Sequence, residues 1–172
     1  MAASDGTSAS AGSSGADSSP RGSSAAERNP RVDFYVIEET AAAARLKVAC
    51  RLAEKAYLAS QRALIWHTDR EELAALDEML WTFADGSFVP HDWLTSNGLP
   101  EAPVLLSAGS APAEAFDFVV NLAADPPPFL HLTRRIAEII DGDDGRRRAG
   151  RLRFKAYREL GIEPVTHTLR AE

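Results

Sequence analysis

One cysteine, Cys50, stands among the 172 residues, so no internal disulfide framework can hold the chain together, and a reducing compartment, the cytoplasm, is the expectation. No stretch approaches eighteen consecutive apolar residues, and the N-terminus lacks the basic-then-apolar order of a secretory leader. Neither export nor a membrane partner is therefore expected. Phosphate-cradling loops are missing as well: there is no GxGxxG turn and no GxxxxGK[ST] segment, and VIEETAAAA at 36–44 offers no glycine to bring backbone close to a phosphate. His67, His91, His131 and His167 are scattered, with no Cys, Asp or Glu at metal-ligand spacing, so no metal and no cofactor are expected. DGDDG at 141–145 begins like a calcium loop but puts Gly145 and Leu152 where oxygen ligands are required, and reads better as a helix N-terminus. Positive charge is in deficit, 19 Lys and Arg against 25 Asp and Glu. A net charge of −6 speaks against a protein that coats nucleic acid by bulk electrostatics.

What is present is enough for one globular domain with a real core: 45% of the chain is hydrophobic. Residues 1–30 are dominated by Ser, Ala and Gly and predict a disordered tail; 31–172 predict a single α/β domain. VDFYVI at 32–37 reads as a buried strand. Leu46, Ala49, Cys50, Ala53, Ala56 and Tyr57 mark one face of a helix over 41–59, with Cys50 an inert structural thiol on that face. ALIWH at 63–67 is a second strand, and Thr68 or Asp69 caps a helix at 70–82 lined by Leu73, Leu76 and Leu80. After a Gly- and Pro-punctuated stretch at 86–103 come strands at 104–108 and 117–123. The triple proline at 126–128 predicts a helix near 129–136, and AEIID at 137–141 a last short strand. Asp143 or Asp144 caps a final helix to about Leu160, with Gly161 in the left-handed position after it. The alternation implies a three-layer α/β sandwich around a mostly parallel sheet, a nucleotide-binding-like topology without a phosphate loop.

The final helix carries RRRAGRLRFKAYR at 146–158. At about 100° per residue, Arg147, Arg151, Phe154, Lys155 and Arg158 share an arc of roughly 120°, while Ala149, Leu152, Ala156 and Leu160 fall opposite and are expected to face the sheet. Crowded like charges on one helix face repel one another, and no glutamate dilutes them before Glu159. Three readings compete: a solvated face with no partner, a phosphate-binding face for single-stranded nucleic acid, and a dock for an acidic peptide whose apolar side chain packs beside Phe154 or Tyr157. Composition does not choose between the last two.

FKAYRELGIEP at 154–164, with LDEMLWTFADGSFVPH at 76–91 and the initial DFY at 33–35, resembles the chi subunit of bacterial DNA polymerase III, an accessory protein of the clamp loader. The resemblance runs from about Val32 to Leu169 and leaves 1–30 uncovered. It implies a protein without an active site that grips the acidic C-terminal tail of single-stranded-DNA-binding protein, so that contact with nucleic acid is mainly indirect. The implied tail pocket comprises Ile140, Arg147, Arg151, Phe154, Lys155 and Gly161, with Tyr157 and Arg158 adjacent. Ile140 supplies an apolar wall, Phe154 the packing surface, and the cations the counter-charges. Trp81, Phe88, Val89, Pro90 and His91 stand where the family meets psi, the small subunit that joins chi to the clamp loader. Arg147 replaces the Lys of some relatives, which keeps the charge but changes the donor geometry.

Overall fold

The computed structural model describes residues 29–170. Its seven strands are β1 (Arg31–Val36), β2 (Ala63–His67), β3 (His91–Trp93), β4 (Val104–Ala108), β5 (Phe116–Asn121), β6 (Thr133–Ile140) and β7 (Val165–Thr168). They form one sheet in the order β3-β4-β2-β5-β6-β1-β7, and every pairing is parallel. Of the five inner strands, β2, β4 and β5 are mostly Ala, Val, Ile, Leu, Phe and Trp because helices and loops bury them on both faces, while β1 and β6 also carry Asp33, Arg135 and Glu138.

Helices α1 (Ala42–Leu58) and α2 (Arg70–Leu80) cover one face, where Ala49, Cys50, Ala53, Leu73 and Leu76 pack on Ile65, Leu106, Val120 and Ile139. Helix α3 (Asp144–Glu159) covers the other face at one end, over Val32, Phe34, Ile136 and Ile140. The rest of that second face is sealed by loop residues such as Leu94, Leu99 and Phe129 around Trp66 and Phe116. Asp69 caps α2 by accepting from the Glu71 and Glu72 amides, and Asp143 caps α3 by accepting from the Arg146 amide. Gly161 follows α3 at φ +84°, as its position requires. Burial pushes the Cys50 thiol up to about 12, which leaves it a packing residue.

Three features depart from expectation. No helix follows the triple proline: a three-residue 3-10 turn (Leu130–Leu132) leads straight into β6, a strand of eight residues. Arg134 and Arg135 belong to that strand, and Arg135 reaches across to Asp33 at 2.8 Å and to the Tyr35 hydroxyl at 2.7 Å. Burial alone would raise the Asp33 carboxyl, but hydrogen bonds from His167 and Arg135 outweigh it and hold the group below its ordinary range. The edge strands β3 and β7 had no sequence signal, being three and four residues long, β3 half-buried and β7 largely exposed. Finally, α3 is rotated from the expected setting: Leu152 and Leu160 are 66% and 54% exposed, while Gly150, Arg153 and Tyr157 face the sheet. The expected tail lies outside the described residues except for Asn29 and Pro30, and the Asn29 amide donates to the Leu160 carbonyl at 3.3 Å.

Candidate functional site

The rotation of α3 has a cause in β6. Glu138 is fully buried on the face that α3 covers and needs partners there, because an unpaired carboxylate in a core is costly. Arg153 Nε donates to one carboxylate oxygen at 2.8 Å; the Tyr157 hydroxyl at 2.6 Å and the Asn121 amide at 2.8 Å donate to the other. Burial nonetheless pushes the Glu138 carboxyl above its usual range, and burial together with Glu138 pushes the Tyr157 phenol well above its own. Two polar side chains thus take the inward positions that leucines were expected to fill.

Held in this setting, α3 forms with β1, β6 and β7 a hollow of about 290 Å³ lined by Phe34, Val36, Ile140, Arg147, Gly150, Arg151, Phe154 and Thr166. Its floor is apolar and its rim cationic. The Phe154 ring leans on Phe34 with centroids 5.2 Å apart, and Tyr157 props Phe34 from behind at 6.1 Å. Gly150 leaves room for Ile140: a Cβ there would clash with the Ile140 δ-methyl unless that side chain moved. Arg147 is steadied by donating to the Asp141 carbonyl at 3.2 Å, while Arg146 beside it is engaged by the Asp141 carboxylate at 2.6 Å. Among the described residues, neither Arg147 nor Arg151 has a carboxylate partner.

Four residues expected at the tail pocket therefore converge: Ile140, Arg147, Arg151 and Phe154. Lys155 and Gly161 are exposed but do not line the hollow. Arg158 is exposed and sits 3.5 Å from Glu163. Tyr157, expected beside the ligand, is fully buried and acts through Phe34 and Glu138 instead. Phe34, Val36, Gly150 and Thr166 were missed. Gly150 was the readable one, since a mid-helix glycine costs about 1 kcal/mol and asks for a packing reason.

A second cluster sits beyond α2, beside β3. Trp81 and Phe88 are 50% and 62% exposed, their rings 5.6 Å apart, and Trp81 also lies 4.5 Å from the His91 ring. His91 is fixed by the Asp77 carboxylate and the Val89 carbonyl, each at 2.7 Å. Pro90 is half-buried, whereas the His91 side chain is 2% exposed and Val89 is fully buried, so these two support the loop and present no surface to a partner. β3 and β7 are the two edges of the sheet; six interstrand steps of about 4.8 Å separate the clusters by about 29 Å. Among the described residues, no group of three His, Cys, Asp or Glu side chains could hold a metal, and no helix is long and apolar enough to cross a membrane.

The family model described as DNA polymerase III chi subunit, HolC, matches residues 30–165. A Pseudomonas aeruginosa protein named DNA polymerase III subunit chi is 38% identical over 139 residues, covering 81% of this chain and 96% of that protein. The Escherichia coli protein of the same name is 26% identical over 123 residues, with coverages of 71% and 84%. Among solved structures, the C-terminal domain of the DEAD-box protein Dbp5 superposes with a TM-score of 0.54 at 13% identity, covering 81% of this chain and 91% of that one. That likeness is one of fold alone.

Proposed function

This chain belongs to the DNA polymerase III chi subunit family, and on that premise we propose that it is a non-catalytic accessory subunit which captures the acidic C-terminal tail of single-stranded-DNA-binding protein and bridges it to the clamp loader. The observation that carries this reading is the cationic-rimmed apolar hollow of Ile140, Arg147, Arg151 and Phe154. One terminal side chain fits on the Phe34 and Phe154 rings, and its carboxylate comes within reach of two guanidinium groups. Burying that side chain contributes about 1.5–3 kcal/mol, and each exposed ion pair up to about 1 kcal/mol, which together support an affinity in the micromolar range.

Titration of a fluorescein-labelled Asp-rich peptide ending in Phe with a free carboxylate tests the reading. Micromolar binding that weakens with added salt and with amidation of the terminus is expected. No binding at low salt, or indifference to amidation, would overturn it.

Bridging is assigned to the opposite edge, where the exposed Trp81 and Phe88 pair suits a partner's apolar groove, with psi the partner in this reading. Replacing both with alanine is expected to weaken binding to psi or to the assembled clamp loader by about 30-fold or more. The melting midpoint and the peptide affinity should stay where they were, since both rings are half exposed and distant from the hollow. Calorimetric titration of the variant against each partner reads this directly.

A further inference from the structure

Among the described residues, the edge of the sheet beside the hollow is open. β7 pairs with β1 along one side and with nothing on the other among the described residues. The Leu169 amide donates to the Val36 carbonyl at 2.8 Å. In a parallel ladder that register turns the amides and carbonyls of Val165, His167 and Leu169 toward β1, and leaves those of Thr166 and Thr168 pointing outward. Sheets guard such edges with lysines, prolines, bulges or a covering element, because an exposed edge templates another strand. The sequence Val-Thr-His-Thr of β7 carries no lysine and no proline, and its guards are its shortness and Pro164 just before it.

Cations with no carboxylate partner among the described residues stand on both sides of this edge. On the α3 side, Arg147 and Arg151 border the hollow to which Thr166 contributes. On the α1 side, a smaller hollow of about 140 Å³ is lined by Lys47 and Arg51 together with Leu169 and Arg170, with Glu39 the one acidic residue in it. Lys47 and Arg51 have no carboxylate within salt-bridge distance among the described residues. Successive side chains of a strand point to opposite faces of its sheet. An acidic peptide laid along β7 would therefore send alternate carboxylates to Arg147 and Arg151 on one face, and to Lys47, Arg51 and Arg170 on the other.

We infer that the acidic tail is taken up as an eighth strand, added to the outer edge of β7 through the backbone of Thr166 and Thr168, with its terminal side chain in the hollow of Phe34, Ile140 and Phe154. The inference rests on the tail-capture reading and deepens it. Main-chain hydrogen bonds supply the part of the affinity that ignores side-chain identity, and the two-sided cations select for acids at consecutive positions.

The test is a scan of the labelled Asp-rich peptide in which each amide in turn is N-methylated. Strand addition predicts alternation: losses of about five- to tenfold at every second position along the edge, and little change between them. On the protein side, Thr168→Pro removes an outward donor at a place where an edge strand tolerates proline, and the same five- to tenfold loss is expected with an unchanged melting midpoint. A flat scan, together with normal binding to Thr168→Pro, would overturn strand addition while leaving the hollow as the docking site. Failure of the unmodified peptide to bind would overturn both.

Discussion

Replacing Arg153 with alanine is expected to lower the unfolding free energy by about 3–5 kcal/mol, the usual cost of stranding one member of a buried ion pair. Glu138 keeps its hydrogen bonds from Tyr157 and Asn121 but loses the one counter-ion it has among the described residues. The deficit should depend on pH in a definite direction. Burial raises the Glu138 carboxyl above its ordinary value of 4.5 in the folded protein, and removing Arg153 raises it further. A carboxyl raised on folding binds its proton more tightly in the folded state, so its contribution is complete below the unfolded value and is lost as pH climbs through the folded one. Urea unfolding of the variant should thus show a smaller deficit at pH 5 than at pH 8. Pairing the change with Glu138→Gln should recover most of the loss, because the amide oxygen still accepts from Tyr157 and Asn121 and no charge remains buried. A deficit independent of pH, or no recovery in the pair, would mean that lost packing and not the stranded charge sets the cost.

Reversing both Arg147 and Arg151 to glutamate is expected to weaken capture of the Asp-rich peptide by about 30- to 150-fold, or about 2–3 kcal/mol. Each reversal removes an attraction discounted for solvent screening and adds a comparable repulsion. The fold should not suffer. Arg147 lies early in α3, where a glutamate complements the helix dipole, and Arg151 is exposed. Anisotropy titrations at low and at high salt should converge for the variant and the parent, since salt screens what the substitutions changed. Loss of binding with a shifted melting midpoint would instead report damage to α3.

The parts legible in the sequence are those in which local spacing and tertiary demand agree. Leu73, Leu76 and Leu80 mark the inner face of α2 and are buried there; Asp69, Asp143 and Gly161 end helices where their chemistry says they should. The cationic half of the site was legible for the same reason, since Arg147 and Arg151 sit one helical turn apart, with Phe154 just beyond. What stayed hidden was set from outside each segment. Leu152 and Leu160 looked inward by hydrophobicity, yet Glu138, fifteen positions before Arg153, draws Arg153 and Tyr157 beneath α3 and turns the leucines out. The first half of β6 was masked by the triple proline, which was expected to begin a helix there; Arg135 is instead held in the strand by Asp33 and Tyr35 on its neighbour. β7 is four residues of mixed polarity whose strand identity comes only from pairing with β1. Thr166, and with it the open edge, could not be read before that pairing was known.

The two clusters lie on opposite rims of one parallel sheet, and this fixes how the molecule would carry force. A pull between a partner at Trp81 and another at Thr166 runs across the strands, along the direction of their hydrogen bonds. Loaded that way, bonds open one after another as in a peeled seam, whereas a pull along the strands would strain all of them together. The rim strands are the shortest, three residues in β3 and four in β7, so a strained link yields first at its margins. The five inner strands and the core between them stay shut, ready to be rejoined.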